Sequence, residues 1–123
     1  MKKRENYSEE KLFETIIEAI KQIKGKNIVS IKLNKIENTL FDQFIICHGE
    51  STTQVGAIVE NIELKVTEEL GLKPSHLEGT QNALWILIDY HGIVVHVFLD
   101  EQRDFYQLED LWSDGEITKH NDE

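Results

Sequence analysis

Cysteine, proline and long apolar runs are all scarce in this sequence, and each scarcity removes a class of protein. The single cysteine, Cys47, excludes an internal disulfide framework and suits a reducing compartment. With only one proline, Pro74, there is no proline-rich linker, and neither internal repeats nor low-complexity segments interrupt the chain. No apolar run approaches the roughly 20 residues of a membrane helix. The opening MKKRENYSEE leads into an amphipathic stretch, unlike the apolar core of a secretory signal, so the expected address is the cytoplasm. The five histidines form no HExxH or close ligand pair, CxxC is absent, and there is no glycine-rich phosphate loop. No metal and no cofactor are expected.

What is present is acid. The formal net charge is −10, and it is unevenly spread. Residues 1–35 carry nine bases against five acids, net +4, whereas residues 36–123 carry four bases against eighteen acids, net −14. Phosphate backbones are bound through Lys and Arg, so extensive direct contact with nucleic acid is disfavoured. A basic protein partner matches better, because complementary potentials steer encounter and fix register. Acidity that only maintains solubility would read the same way. At 123 residues the chain has length for one domain with one core.

Periodicity supplies the elements. Leu12, Phe13, Ile16, Ile17, Ile20 and Ile23 recur at helical spacing, predicting a helix from about Ser8, its cap, to Lys24, closed by Gly25. Strands are predicted at Ile28–Leu33 and Gln43–His48. Ser51-Thr52-Thr53-Gln54 has the form of a capping box. The helix it starts buries Val55, Ile58, Val59, Ile62, Val66 and Leu70 and ends at Gly71. The stretch Leu72 to Asn82 reads as irregular. LWILIDY and IVVHVFL then flank His91-Gly92 as a tight hairpin. Asp100 caps a last helix from Glu101 to about Trp112, packed through Phe105, Leu108, Leu111 and Trp112. The expected order is α-β-β-α-β-β-α, a single α/β domain with a mixed β-sheet covered by helices.

The hairpin fixes which residues share a face. With His91-Gly92 as the turn, Leu84, Ile86, Ile88, Tyr90, Ile93, Val95, Val97 and Leu99 line one face, apolar and suited to lie under helices. The other face pairs Trp85 with Phe98, Leu87 with His96 and Asp89 with Val94. Large aromatics beside one acid and one imidazole suit either a protein-contact surface or a second core layer with buried partners for Asp89 and His96.

Catalytic readings are weak. Cys47 and His48 are adjacent on a strand and point to opposite faces, so they do not form a nucleophile–base pair. Gly49-Glu50-Ser51 before a helix and Asp89 on a later strand echo nucleotidyltransferases of the polymerase-β type. That chemistry needs two carboxylates to hold two metal ions, and position 91 is His.

The runs HGESTTQV-AI from His48 to Ile58, Glu78-Gly79, and LWILIDYHGIVVHVFLDEQRDFYQLEDLW from Leu84 to Trp112 resemble the ribosomal silencing factor (Iojap-like) family, over residues 8–113. The resemblance implies a nucleotidyltransferase-like α/β fold without catalysis, not an enzyme. It also implies binding to the large ribosomal subunit through ribosomal protein L-fourteen, blocking the joining of the small subunit. The alternatives are a small nucleotide-binding or nucleotidyl-transferring enzyme, or a large-subunit assembly factor using the same surface. The silencing-factor domain is taken as residues 1–113, with 114–123 a polar, frayed tail. Family positions matched here, together with the hairpin face, give Trp85, Asp89, Tyr90, His96, Phe98, Arg103 and Tyr106 as partner-contact candidates. A homodimer of the free chain is compatible with this reading. Cys47-His48 and His91-Gly92 depart from the family pattern.

Overall fold

A computed structural model of the chain describes residues 8–32, 43–106 and 116–120. Helix α1 spans Glu9–Gln22, and the Ser8 hydroxyl caps it by accepting the Lys11 N–H at 3.0 Å. Its end corrects the sequence reading in one respect. Lys24, not Gly25, is the left-handed residue (φ 62°), and the N–H groups of Lys24 and Gly25 return to Lys21 O and Ile20 O at 2.9 and 3.0 Å. Gly25 is needed for close approach instead, because a Cβ there would collide with Ile20 Cγ2.

Strand β1 (Lys26–Lys32) pairs antiparallel with β2 (Gln43–Gly49). Ser51 then starts α2 (Thr52–Leu70), accepting the Gln54 N–H at 3.1 Å, while Gln54 Oε1 accepts the Glu50 N–H at 2.7 Å. Gln54 does more than cap. Its amide nitrogen donates to Ile23 O and Lys24 O at 3.0 and 3.2 Å, tying the start of α2 to the end of α1. Asn61 Nδ2 adds a second tie, to Ala19 O at 2.9 Å. Gly71 (φ 66°) ends α2 as expected.

β3 (His76–Glu78) falls in the stretch read as irregular; all three residues are exposed, so no apolar alternation announces it. The hairpin β4 (Trp85–Tyr90) and β5 (Ile93–Leu99) has the predicted register, Tyr90 opposite Ile93 and Trp85 opposite Phe98. His91 (φ 53°) and Gly92 (φ 114°) both have positive φ, the twist that a two-residue hairpin requires. Helix α3 is described over Asp100–Tyr106. The predicted continuation to Trp112 and packing through Phe105, Leu108, Leu111 and Trp112 lie outside the described residues. β6 (Glu116–Lys119) pairs antiparallel with β1, Ile117 opposite Ile31. The expectation of a frayed tail is therefore corrected at 116–120. Main-chain pairing holds this segment, helped by His120, whose N–H reaches Ile28 O and whose Nε2 meets Ser30 Oγ, both at 2.8 Å. Phe13 packs edge-on against the His120 ring at 5.4 Å.

The strands form one mixed sheet in the order β3-β4-β5-β2-β1-β6, with β2 and β5 as its parallel pair. The α-β-β-α-β-β-α order thus holds, with two short edge strands added. One face carries Ile28, Ile45, Cys47, Ile86, Ile88, Tyr90, Ile93, Val95 and Val97, buried against α1 and α2. The opposite face holds a smaller buried cluster of Val29, Ile31, Phe44, Ile46, Val94 and Phe98. Among the described residues no helix is long and apolar enough to cross a membrane.

Candidate partner-contact face

Registers across three strands lay out the second face as rows. Trp85 on β4 stands beside Phe98 on β5 and His48 on β2; Leu87 beside His96 and Ile46; Asp89 beside Val94 and Phe44. Strands β2 and β5 are central and buried on both faces, whereas along β4 burial alternates. Ile86, Ile88 and Tyr90 face the helices and are buried; Trp85, Leu87 and Asp89 face the other way and are half-buried. The middle of the face is a second core layer, and the β4 strip is its open edge.

The aromatic geometry is specific. Trp85 stacks on Phe98 with centroids 5.0 Å apart and an interplanar angle of 26°. Its indole N–H donates to His96 Nδ1 at 3.1 Å, and Phe44 meets the His96 ring edge-on at 4.8 Å. Indole nitrogen can only donate, so His96 Nδ1 must be the acceptor and Nε2 carries the hydrogen. Burial at 5% exposure holds His96 neutral, its pKa pushed down to about 4. Two polar atoms of this face, His96 Nε2 and Asp89 Oδ1, are buried without a hydrogen-bond partner.

The predicted site residues separate accordingly. Trp85, Asp89, His96 and Phe98 come together, with fully buried Phe98 as the floor under Trp85. Tyr90 does not join them: it is 0% exposed in the helix-side core, and burial, then Glu63, pushes its hydroxyl pKa up. Arg103, 8% exposed, ties α3 to the sheet. Its Nη1 donates to Asn27 O at 2.7 Å and to His48 Nδ1 at 3.1 Å, and His48 Nε2 lies 3.6 Å from Asp100 Oδ1. The Tyr106 side chain lies outside the described residues. Sequence reasoning left Leu87 and Phe44 off the list, although the hairpin register already put Leu87 in the strip. His48 enters the sequence reading as a base, as a possible metal ligand and in the run His48–Ile58; its place beside Phe98 follows from the parallel β2–β5 pairing, which the sequence does not signal.

The catalytic readings can be located too. Cys47 packs in the helix-side core, burial pushing its thiol up to about 12, while His48 meets Arg103 on the opposite face. The residue two beyond Asp89 is the exposed turn residue His91. Among the described residues no three His, Cys, Asp or Glu side chains gather as a metal site.

Fold and face together define a small α/β domain with a mixed open sheet, its distinctive chemistry on a sheet face. The chain belongs to the RsfS family, ribosomal silencing factor during starvation, whose model matches residues 5–123. The ribosomal silencing factor RsfS of Halalkalibacterium halodurans is 38% identical over 108 residues, covering 88% of this chain and 91% of that protein. A crystal structure of a Chromobacterium violaceum protein superposes with a TM-score of 0.81 at 34% identity, covering 87% of this chain and 88% of that one. The mouse protein named mitochondrial assembly of ribosomal large subunit protein 1 is 28% identical over 101 residues, 80% of this chain and 43% of its own length. The family resemblance carried by His48–Ile58 and Leu84–Trp112 is thus borne out.

Proposed function

We propose that this chain represses translation by docking on the large ribosomal subunit through ribosomal protein L-fourteen, so that the small subunit cannot join. It acts in the cytoplasm by occupying a surface, and no bond is made or broken. One observation carries the reading: a member of the RsfS family presents a half-buried strip, Trp85, Leu87 and Asp89, beside a stacked Trp85–Phe98 pair. Aromatic anchors over a packed floor are the side chains that dominate protein–protein affinity. The net charge of −14 after residue 35 favours a basic protein over phosphate. Off the ribosome, the proposal includes a homodimer of the free chain.

The test is sedimentation with isolated subunits, followed by subunit joining in the presence of the protein. Recovery with large and not small subunits, and fewer joined particles, is expected. Equal recovery with both, or with neither, overturns the reading. An assembly role is the second reading, favoured by the mouse relative's name. It predicts recovery on immature large particles with no effect on joining.

A further inference from the structure

On the helix-side face of the sheet, β2 contributes Gln43, Ile45 and Cys47, with Gln43 beside Ile93 of β5. Ile45 and Cys47 are core residues, and Gln43 is itself buried to 8% exposure. Its main-chain N–H reaches Gly92 O at 3.2 Å, but its carboxamide has no hydrogen-bond partner among the described residues. Gln43 instead lines a cavity of about 650 Å³ between the first turns of α1 and the β1–β6 edge. Buried polar groups are nearly always paired, so a carboxamide that opens on such a cavity calls for a group from outside the chain.

The cavity has a sign. Glu9, Glu10 and Glu14 border it from α1 and Glu116 from β6. Against these four carboxylates the described lining sets one ammonium, Lys32, which stands between Gln43 and Glu116 in the cross-strand row. His120 adds no charge at neutral pH: burial, then Lys21, lowers its pKa, and its Nε2 meets Ser30 Oγ at 2.8 Å. Half-buried Phe13, edge-on to the His120 ring, gives the wall an apolar patch. Among the described residues no three acids or histidines gather as a metal site, so the carboxylates are spread along the cavity. Spread acids suit an elongated organic cation.

We infer that this cavity takes an arginine or lysine side chain carried on an extended segment of a protein partner. The cation meets the carboxylates and Gln43 Oε1, its alkyl stem lies along Phe13, and a main-chain carbonyl of the segment accepts from Gln43 Nε2. A protonated polyamine offers only donors and leaves that amide hydrogen open; a phosphate is repelled. The cavity lies on the opposite face from the β4 strip and toward the other edge of the sheet, so it does not depend on docking through that strip.

Calorimetric titration with a short peptide of alternating arginine and alanine, its termini blocked, tests the inference, with thermal melts of each variant. The peptide should bind at physiological salt and shift the Gln43 side-chain amide signals of isotope-labelled protein; its glutamine-for-arginine counterpart should do neither. Gln43→Leu leaves the net charge unchanged and should weaken binding about tenfold, the scale of a hydrogen bond to a charged group. Its melting temperature should hold or rise, since the unpaired carboxamide is gone. Glu10→Gln with Glu14→Gln should weaken binding about threefold or more. Glu60→Gln with Glu101→Gln, exposed acids outside the cavity, should change it less than about twofold, because distant charges are screened. Gln43→Leu binding like the parent, or the outside pair losing as much as the cavity pair, would mean attraction to the −10 charge alone and overturn the inference. Equal binding of the glutamine peptide, or no binding of the arginine peptide, overturns it as well. Spermidine binding as tightly as the peptide overturns the assignment to a protein segment. If Gln43→Leu does not fold, the exposed Glu10 and Glu14 pair decides by itself.

Discussion

Trp85→Ala separates folding from binding most directly. In the free protein the indole stacks on Phe98 at 5.0 Å and donates to His96 Nδ1 at 3.1 Å. The stack is worth about 0.5–1.5 kcal/mol beyond area, and the hydrogen bond about 1 kcal/mol. Because the ring is half-buried, its loss should destabilise folding by about 2 kcal/mol, against a typical domain stability of about 5–15 kcal/mol. A cooperative transition should survive, lowered by several degrees. Binding should lose about 2 kcal/mol or more, since well-packed interface aromatics cost that much on truncation, and this is about thirtyfold in affinity. Trp85→Phe keeps a ring on Phe98 and should recover part of the stability while still lacking the donor to His96. Calorimetry or circular dichroism gives the first quantity, and titration against large subunits gives the second. Loss of the cooperative transition would make Trp85 a core residue, and an unchanged affinity would refute the contact face.

Further outcomes follow from the same geometry. His96 titrates near 4 when folded and near 6.5 when unfolded, so the unfolded chain binds more protons between these values. Stability should therefore be full above about pH 6.5 and fall toward pH 4 by on the order of 3 kcal/mol, with His120 contributing in the same sense; denaturant melts of the parent and His96→Leu should differ in slope across this window. Arg103→Ala should destabilise by about 2–4 kcal/mol, because Asn27 O and His48 Nδ1 lose a charged donor in a buried setting; a loss below about 0.5 kcal/mol in urea unfolding would refute its tie to α3. Labelled nucleotide with Mg²⁺ should give no product, and turnover abolished by Asp89→Asn would restore the transferase reading. Raising salt to about 0.5 M should slow association and leave dissociation nearly unchanged; Glu101→Gln with Asp104→Asn should reproduce part of the slowing at low salt, and a salt-independent rate would assign the charge to solubility.

By itself the sequence determined whatever depends on near neighbours. Helix spacing and the Ser8 and Ser51 caps marked α1 and α2, and strand parity around His91-Gly92 put Tyr90 under the helices and Trp85, Asp89 and His96 on the opposite side. The run from Leu84 to Trp112 carried the family. Tertiary structure decided what requires distant segments to meet. Parity says which face a residue occupies, not what covers it, so the buried middle and half-open β4 strip emerged only with the sheet order. Arg103 carried no sign in its own neighbourhood that it would reach Asn27 and His48. Lys24 takes the left-handed turn, while at Gly25 an added Cβ would strike Ile20. β6 had no apolar pattern at all: its four exposed residues are ordered by main-chain hydrogen bonds to an edge that exists only once β1 is in place. Backbone pairing is blind to side-chain type, and for that reason the sequence could not announce it.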